Sequence, residues 1–290
     1  MTETKKGVAA LIVLAWVFAT MGVFARYLGT EFALFEQTYL RIGLAFLIGV
    51  AVFYKHLSWK KLATLPKKDW AILIFRSVAL YTGVVLFTEA VLTTKYGNAS
   101  FVAVVPLLPL FGYIFLKERL GLRTLAYIAL GFIGVSLIAI HDVRDLTFGY
   151  GEMAALLSAL AFDISYVARR WHSDHFNNKE STVFMFFFGA LFLLAMSVVM
   201  GEPVPHLSDF TFPIVFALLG AAAFNVANLY LTNYGFERVK VGVAGNIITL
   251  EVVFALLYGV ILFQEVPALR EVIGGVLVLY SVWQINRKEA

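Results

Sequence analysis

Long apolar runs, separated by short polar gaps, recur from one end of the chain to the other. Each run has about 18–23 residues, and roughly 20 helical residues cross the ~30 Å hydrocarbon core of a bilayer. A helix satisfies its own backbone hydrogen-bonding groups in lipid, and the runs lack the alternating pattern of a lipid-facing β-barrel. The sequence therefore predicts an all-α integral membrane protein.

The composition leads to the same conclusion. Of the 290 residues, 61% are hydrophobic and 14% are charged, with a mean hydropathy of +0.84. Soluble domains average roughly 25% charged residues. The chain therefore lacks the polar surface that a soluble globule needs. It also has no cysteine, which excludes disulfides.

We predict ten transmembrane helices, called spans 1 to 10. They cover approximately residues 7–28, 32–54, 70–92, 97–116, 122–140, 149–168, 182–200, 212–232, 241–263 and 268–285. The connections are about a dozen residues at most, which leaves no room for a soluble domain. The first run is too long, and too closely followed by the second, to be a cleaved signal peptide.

The basic residues predict the orientation, because cytoplasmic loops collect Lys and Arg. If the N-terminus is inside, the outer segments hold Arg26, Lys95, Arg144 and Arg270. The inner segments hold Lys5, Lys6, Lys55, Lys60, Lys61, Lys67, Lys68, Lys117, Arg119, Arg123, Arg169, Arg170, Lys179, Arg238, Lys240, Arg287 and Lys288. This roughly fourfold excess predicts a multi-pass protein of the cytoplasmic membrane with both termini in the cytoplasm. The net charge of +4 reflects that inner face, and no motif indicates nucleic-acid binding.

Three short matches indicate an internal repeat. "VFARYL" resembles "YVARRW", "TTKYGNAS" resembles "RVKVGVAG", and "FLKERLGLR" resembles "LFQEVPALR", always about 143–147 residues apart. We therefore predict two five-helix repeats, residues 1–145 and 146–290. Five is an odd number, so the second repeat would be inverted in the membrane. Inverted repeats are typical of transporters whose substrate site lies where the repeats meet.

With these features the chain resembles the EamA-type members of the drug/metabolite transporter superfamily. The resemblance covers nearly the whole chain and includes "YLRIGLAFLIGV" in span 2, "VPLLPLFGYIFLKERL" in span 4 and "TLEVVFALLYGVILFQE" in span 9. It implies a central cavity lined mainly by spans 1, 3, 4, 6, 8 and 9. It also implies a proline kink in spans 4 and 9. Pro106 and Pro109 fit the first kink, whereas Val252 occupies the usual proline position of the second.

Glu251 is an acid within the apolar run of span 9. A charge at a helix centre costs about 2.5–3.5 kcal/mol on insertion scales, and such residues usually face a cavity or a partner. Glu251 is therefore a candidate to bind a substrate ammonium or a proton. The alternative is a hydrogen bond that ties span 9 to a neighbour. Tyr258 lies on the same helix face, with Phe254 between the two.

Further polar residues could line the cavity. Asn225 and Asn228 share one face of span 8 with Thr232, and their amides could bind a polar ligand or an adjacent helix. In spans 1 and 3, the candidates for an aromatic and polar lining are Trp16, Thr20, Tyr81 and Thr82. Any single aromatic residue could instead belong to the core or face lipid.

Two buried charges could act together. Arg76 in span 3 and Asp163 in span 6 lie at a similar predicted depth, so we hypothesise an ion pair that serves as an inner gate or a structural tie. The alternative is that each side chain extends separately to the interface. Arg41 in span 2 is expected to pack or to cap a helix. Pro106 and Pro109 are the predicted bending points for gating.

The resulting prediction is a secondary transporter that works by alternating access. Small amphipathic metabolites are the expected substrates, with amino acids first and export as the expected direction. A proton is a second candidate ligand. The alternative within this class is a broad efflux pump that exchanges lipophilic cations for protons. The sequence leaves open whether the protein is a monomer or a homodimer.

Other classes of protein fit the sequence less well. A membrane enzyme acting on lipid would need clustered catalytic side chains, and a receptor or scaffold would need an extramembrane domain. Without a Walker motif, ATP-driven transport by this chain alone is not expected. We predict no catalytic residues and no cofactor. His172, Asp174 and His175 share a loop, but without a further ligand we expect no metal site there.

Overall fold

Every regular element that the computed structural model describes is a helix. The structure describes residues 2–58, 61, 64–94, 99, 102–103, 105–139, 149–171, 175–263 and 266–289. The α-helices, numbered α1 to α11 in chain order, are Glu3–Leu28, Leu34–Phe53, Lys67–Thr93, Leu108–Leu116, Leu122–Ala139, Tyr150–Trp171, Asn178–Met200, Phe212–Arg238, Val241–Ile248, Leu250–Phe263 and Leu269–Glu289. Single 3-10 turns cover Tyr54–His56 and Leu207–Asp209.

The described helices fit a protein that crosses a membrane several times. Seven helical stretches are long and apolar enough to cross a bilayer, one of them running from α9 into α10, and a shorter apolar helix covers Leu122–Ile138. Helices α1 to α8 coincide with predicted spans 1 to 8, although the start of span 4 lies largely outside the described residues. The all-α membrane fold is thus confirmed, while the count of ten spans stays a prediction.

The ends of α7 show how local sequence sets the helix boundaries. Asn177 stands before the first turn and Glu180 three residues later, and each side chain accepts a hydrogen bond from the other's backbone N–H, at 2.8 and 2.9 Å. This capping box satisfies two N–H groups that have no partner within the helix. At the other end, Gly201 adopts φ 68°, a left-handed conformation that glycine takes without strain.

Predicted span 9 is interrupted without a proline. The break is at Thr249, between α9 and α10, three residues before Val252. The Thr249 hydroxyl donates a hydrogen bond to the carbonyl oxygen of Asn246 at 2.6 Å. Threonine hydroxyls that bond nearby carbonyls compete with the backbone ladder of a helix. Local side-chain chemistry therefore accompanies the break that the resemblance led us to expect from a proline.

The helices pack as a set of close pairs. The closest are α3 with α6, α5 with α11, α1 with α8, and α2 with α7, while α4 packs on α9. The α5–α11 pair meets at two glycines. A Cβ on Gly134 would lie 2.7 Å from the carbonyl oxygen of Gly274, so only glycine permits this approach.

Helices α2 and α7 are tied together at both ends. At one end, the Glu202 carboxylate, just beyond α7, accepts hydrogen bonds from the backbone N–H groups of Phe35 and Glu36, at 3.0 and 2.8 Å. At the other end, fully buried Glu180 accepts from the Ser58 N–H at 3.2 Å and from the Lys61 ammonium at 2.8 Å. Each carboxylate thus joins its own helix to residues of the partner segment.

The outer surface of the bundle is strongly apolar. Large side chains such as Leu47, Val198 and Phe216 are 60%, 72% and 72% exposed. Soluble monomers rarely expose apolar patches of more than a few hundred Å². In a membrane protein, these side chains contact acyl chains, while the polar groups turn inward.

Candidate functional site

A cavity of about 170 Å³, partly open to the exterior, lies inside the bundle. Helices from both ends of the chain contribute to it, from α1 to α10. Much of its wall is aromatic: Phe18, Tyr81, Phe87, Phe132, Phe162, Tyr166 and Phe186. Apolar cavities of about 150 Å³ bind molecules the size of benzene. The cavity therefore suits a small organic molecule with an apolar part.

Two carboxylates face this cavity. Asp163 comes from α6, and Glu251 comes from the first turn of α10, directly after the break at Thr249. Asp163 is 6% exposed. Within the part of the chain that the structure describes, neither carboxylate forms a hydrogen bond or an ion pair. Buried charges are ordinarily paired, so two unpaired carboxylates in one cavity indicate a place for a cationic ligand or a proton.

Amide side chains line the cavity beside these acids. Asn225 and Asn228 reach it from α8, and the Asn225 amide donates to the Ala221 carbonyl oxygen at 2.8 Å. Asn246 on α9 reaches it as well. Its Oδ1 accepts from the Ser281 hydroxyl at 3.1 Å, but its Nδ2 has no partner among the described residues. The third member of the predicted stripe, Thr232, is buried outside the cavity lining.

Arg41, for which the sequence led us to expect a packing or capping role, also lines the cavity. The residue is 3% exposed. Its Nη2 donates to the Thr38 hydroxyl at a long 3.4 Å, and its Nε has no partner among the described residues. One face of α2 therefore presents a guanidinium with free hydrogen-bonding capacity to the cavity.

Tyr81 forms part of the wall from α3. It is 1% exposed, and its hydroxyl has no partner among the described residues. Its ring lies directly over Gly189 of α7, where a Cβ would fall 2.0 Å from the ring. Glycine at this position lets the ring fit between α3 and α7. The hydroxyl is then a further polar group whose hydrogen bonds remain unused.

Besides Thr232, four of the predicted lining residues lie outside the cavity lining: Trp16, Thr20, Thr82 and Tyr258. Thr20 and Tyr258 hydrogen-bond to each other at 3.0 Å and join α1 to α10. Trp16 is 42% exposed, and its ring centre lies 5.8 Å from that of Phe224. The cavity face of α1 is formed instead by Phe18, Met21, Gly22 and Ala25, which follow helical spacing. The rotation of α1 about its axis therefore differs from the one that we expected.

The hypothesised Arg76–Asp163 pair is not formed. Arg76 donates to Asn233 Oδ1 at 2.6 Å and, over 3.4 Å, to the backbone oxygen of Ser165. The Ser165 hydroxyl donates back to the Arg76 carbonyl oxygen at 3.0 Å. Arg76 thus ties α3 to α6 and α8, whereas Asp163 points to the cavity. The sequence could predict that the two side chains lie at a similar depth, but not that they face different neighbours.

Pro106 and Pro109 line the cavity where α4 begins. There, α4 crosses α9 closely. A Cβ on Gly242 would lie 3.1 Å from the Cα of Pro109, and a Cβ on Gly245 would lie 2.7 Å from Leu108 Cδ1. Helix α4, which begins at Leu108, and helix α9, which ends at Ile248, therefore meet beside the cavity. Whether the prolines bend during transport stays a prediction.

Six charged residues form a second polar group, which we call the basal cluster. It consists of Glu3, Glu118, Arg169, Arg170, Glu237 and Arg238. Four of its contacts are Arg169 to Glu237 at 3.0 Å, Arg238 to Glu237 at 2.7 Å, Arg238 to Glu3 at 2.9 Å and Arg170 to Glu118 at 4.0 Å. The sequence analysis used only the three arginines of this cluster, and only for topology. Acids and bases at neighbouring helix ends were the signal that could have identified the cluster.

The basal cluster joins helices from both halves of the chain, and it lies at one end of the bundle. Glu118 Oε2, just after α4, accepts a hydrogen bond from the Val241 N–H at the start of α9, at 3.0 Å. Arg170, near the end of α6, donates to the Val239 carbonyl oxygen at 2.7 Å. Glu3 lies at the start of α1, whereas the cavity lies along the later part of α1, from Phe18 to Ala25. The cluster therefore lies beyond one end of the cavity.

The loop that held the considered metal ligands is described only in part. His172 and Asp174 lie outside the described residues. The ring of His175 pairs with the Asp69 carboxylate at 2.7 Å. This contact joins the start of α7 to the start of α3.

Comparisons with known proteins identify the family. The model of the "EamA-like transporter family" matches the chain twice, at residues 5–140 and 149–287. The chain belongs to the EamA-like transporter family. The resemblance noted in the sequence is thereby confirmed, and the protein is a multi-pass membrane transporter of the drug/metabolite transporter type.

Two relatives and one solved structure are also similar to this chain. A protein of Archaeoglobus fulgidus named "Uncharacterized transporter" is 28% identical over 280 residues, covering 96% of this chain and 95% of its own length. A WAT1-related chloroplastic protein of Arabidopsis thaliana is 26% identical over 180 residues, covering 59% of this chain and 43% of its own length. A crystal structure with 17% identity covers 99% of both chains at a TM-score of 0.78, which shows a shared fold.

Membership in this family gives the internal cavity a role. A membrane transporter binds its small-molecule substrate inside the bundle, shielded from the lipid. The described cavity combines an aromatic wall with charged and amide groups. It is therefore the candidate substrate site of this EamA-like transporter.

Proposed function

We propose that the protein is a secondary transporter for small amphipathic metabolites, with amino acids as the leading class. It would work by alternating access in the cytoplasmic membrane and act as an exporter. The observation that carries this proposal is the pair of carboxylates, Asp163 and Glu251, which face one aromatic cavity without a partner in the described structure. A substrate ammonium between them would be matched by charge, and the apolar side chain of the substrate by the aromatic wall.

The amides give the same site directional contacts. Asn246 Nδ2 has no partner among the described residues, and Asn225 and Asn228 line the same cavity from α8. A site with a few placed polar groups in an apolar wall is typical of small-molecule binding. Glu251, directly after the helix break, is also the leading proton site of the proposal. Protonation there would release a cation by removing its counter-charge.

Alternating access is supported by the packing of the helices. If residues 1–145 and 146–290 are inverted repeats, α1 corresponds to α6 and α3 to α8. The α1–α8 pair then corresponds to α6–α3, and both are among the closest pairs in the bundle. The pairs α2–α7 and α4–α9 each join equivalent helices. Such an arrangement favours two similar units, one containing the α1–α8 pair and the other containing the α3–α6 pair, that rock about the cavity.

The basal cluster suggests which end is closed in this conformation. With both termini cytoplasmic, as the basic residues predict, the cluster lies on the cytoplasmic side and the cavity faces outward. Opening inward would then separate Glu118 from Arg170 and from Val241. Bending at Pro106 and Pro109, and at the break at Thr249, would accompany this movement. Asp163 would couple ligand binding to it, and Arg76 would act as a tie between helices.

An efflux pump for lipophilic cations is the second candidate. The same carboxylates and aromatic side chains suit a cation without any anionic group. Both candidates therefore predict that Glu251 is needed. They differ in the substrate that is carried.

Counterflow in proteoliposomes tests the proposal. Proteoliposomes that contain the purified protein are loaded with unlabelled ligand and then offered labelled amino acids. A parallel assay uses labelled tetraphenylphosphonium as the lipophilic cation. We expect saturable exchange of amino acids, a loss of at least about tenfold in Glu251→Gln, and wild-type exchange in the control Glu31→Gln, whose residue is exposed between α1 and α2. Exchange of tetraphenylphosphonium alone would establish the second candidate, and full activity of Glu251→Gln would contradict both.

A further inference from the structure

The charged residues of the cavity come from both halves of the sequence, with the acids in one half and the arginine in the other. Both carboxylates, Asp163 and Glu251, come from the C-terminal half, on α6 and α10. The cation, Arg41, comes from the N-terminal half, on α2. Among the described residues, no ion pair joins Arg41 to either acid, although all three line one cavity. The cavity therefore contains one cation and two carboxylates that are not in ion-pair contact within the described structure.

Arg41 is held in a way that packing alone does not explain. The side chain is 3% exposed, its Nε has no partner in the described part of the chain, and its bond to Thr38 is long at 3.4 Å. One turn earlier on α2, Gln37 is fully buried, and neither amide atom of its side chain has a described partner. A structural arginine in a core would be expected to spend its donors on carbonyls, as Arg76 does with Ser165 and Asn233.

We infer that Arg41 is an anion-binding subsite of the cavity, and that the transported ligand is a zwitterion whose carboxylate binds Arg41 while its ammonium binds between Asp163 and Glu251. This inference rests on the proposed transport function and adds the group that would recognise the substrate's carboxylate. The planar guanidinium presents parallel N–H donors that match the two oxygens of a carboxylate. A buried charge without a partner is unfavourable, so an anionic ligand group would stabilise this site.

The arrangement also explains how a ligand could influence the whole bundle. A zwitterion in this position touches the N-terminal half with its carboxylate and the C-terminal half with its ammonium. A monovalent amine would form its charged contacts with the C-terminal half alone. Because a ligand shifts a conformational equilibrium only by its difference in affinity for the two states, a ligand that bridges the halves has the stronger effect.

The inference is tested with three ligands that share one side chain. Phenylalanine carries both charges, phenethylamine lacks the carboxylate, and 3-phenylpropionate lacks the ammonium. Counterflow of each labelled compound is measured in proteoliposomes containing wild-type protein, Arg41→Met or Arg41→Lys. The readout is the ratio of phenylalanine exchange to phenethylamine exchange in the same preparation. This ratio is independent of how much protein has folded.

We expect wild-type protein to prefer phenylalanine, and Arg41→Met to lower the ratio by about tenfold to a hundredfold. Arg41→Lys should recover part of the preference, because it keeps the charge and loses the planar fork. The control is Arg76→Met, which removes a buried guanidinium bonded outside the cavity and should leave the ratio unchanged. A parallel fall of the ratio in Arg76→Met would count against a specific role of Arg41.

The outcomes separate this inference from the proposed function. If wild-type protein exchanges phenylalanine and Arg41→Met keeps the wild-type ratio, the anion subsite is refuted while amino-acid transport stands. If wild-type protein exchanges phenethylamine but not phenylalanine, the zwitterion assignment is refuted together with amino acids as substrates. If Arg41→Met lowers the ratio and Glu251→Gln lowers the exchange of both ligands, the two subsites are established.

Discussion

The cavity and the basal cluster both contain carboxylates and guanidinium groups, but those of the cluster are paired with each other and the carboxylates of the cavity are not paired in the described structure. In the basal cluster, Arg169 and Arg238 both bond Glu237, and Glu118 accepts a backbone N–H at 3.0 Å. In the cavity, Asp163 and Glu251 have no partner in the described structure, and Arg41 has an Nη2 contact to Thr38 at a long 3.4 Å. Charges that satisfy each other hold helices together. Charges left unsatisfied are available to a ligand, at the expense of stability.

The strongest challenge to this comparison is to remove both acids of the cavity. In Asp163→Asn with Glu251→Gln, we expect exchange of phenylalanine and of phenethylamine to fall by at least about a hundredfold, because two charge-assisted contacts are lost. The melting temperature should stay at or above the wild-type value, since no paired group is broken. Counterflow and thermal unfolding in detergent measure the two effects. A large drop in melting temperature would show that these acids are structural.

Breaking the basal cluster should have the opposite effect on stability. Glu118→Gln weakens the contacts to Arg170 and to the Val241 N–H, so we expect the free energy of unfolding to fall by about 1–2 kcal/mol. For a chain of this size, this corresponds to a melting temperature lower by roughly 2–6 °C. Glu31→Gln serves as the exposed control. An unchanged melting temperature would mean that the cluster does not hold the helices together.

Tyr81 allows a smaller test on the cavity side of the comparison. Tyr81→Phe removes a buried hydroxyl that has no described partner, so the protein should become more stable by about 1 kcal/mol. If the hydroxyl contacts substrate, exchange of phenylalanine should fall severalfold in the same variant. Thermal unfolding and counterflow on one preparation give both values. A loss of stability would indicate that the hydroxyl is already satisfied.

The smallest transport effect is expected outside both regions. Tyr258→Phe breaks the 3.0 Å hydrogen bond to Thr20, which joins α1 to α10 away from the cavity. We expect a loss of about 0.5–1.5 kcal/mol in stability and exchange within about twofold of wild type. Thr20→Val should behave alike, and the double variant should add little to either single one. A substantial transport defect would return these residues to the binding site, as the sequence first indicated.

The sequence predicted the helical membrane fold because apolar length and loop polarity are local properties. It also pointed to Asp163, Glu251, Asn225 and Asn228, since polar groups within apolar helices are rare and tend to face inward. All four line the cavity. Whether they bind substrate stays a prediction. Glu251 and the two asparagines were selected from one helix at a time, whereas Asp163 was selected as a possible partner of Arg76.

The rest depended on how helices are rotated and which neighbours they meet. Helix α1 is apolar on all sides, so its pattern could not show that Phe18 faces the cavity and Thr20 does not. Depth alone suggested Asp163 as the partner of Arg76, whereas the structure supplies Asn233 from α8. The exposure of Arg41 to the cavity depends on several helices together. Tertiary packing decides these points, and a single sequence contains little information about it.

The carboxylates at the two ends of the α2–α7 pair have a mechanical consequence. Because Glu180 and Glu202 fasten both ends of the pair, we expect these two helices to move as one body in the proposed alternating-access cycle. Distances measured across the pair by paired spin labels, which this cysteine-free chain accepts at chosen positions, should remain constant during turnover. Labels placed between α1 and α6 should report the amplitude of the proposed rocking movement, for which the α2–α7 pair would be the axis.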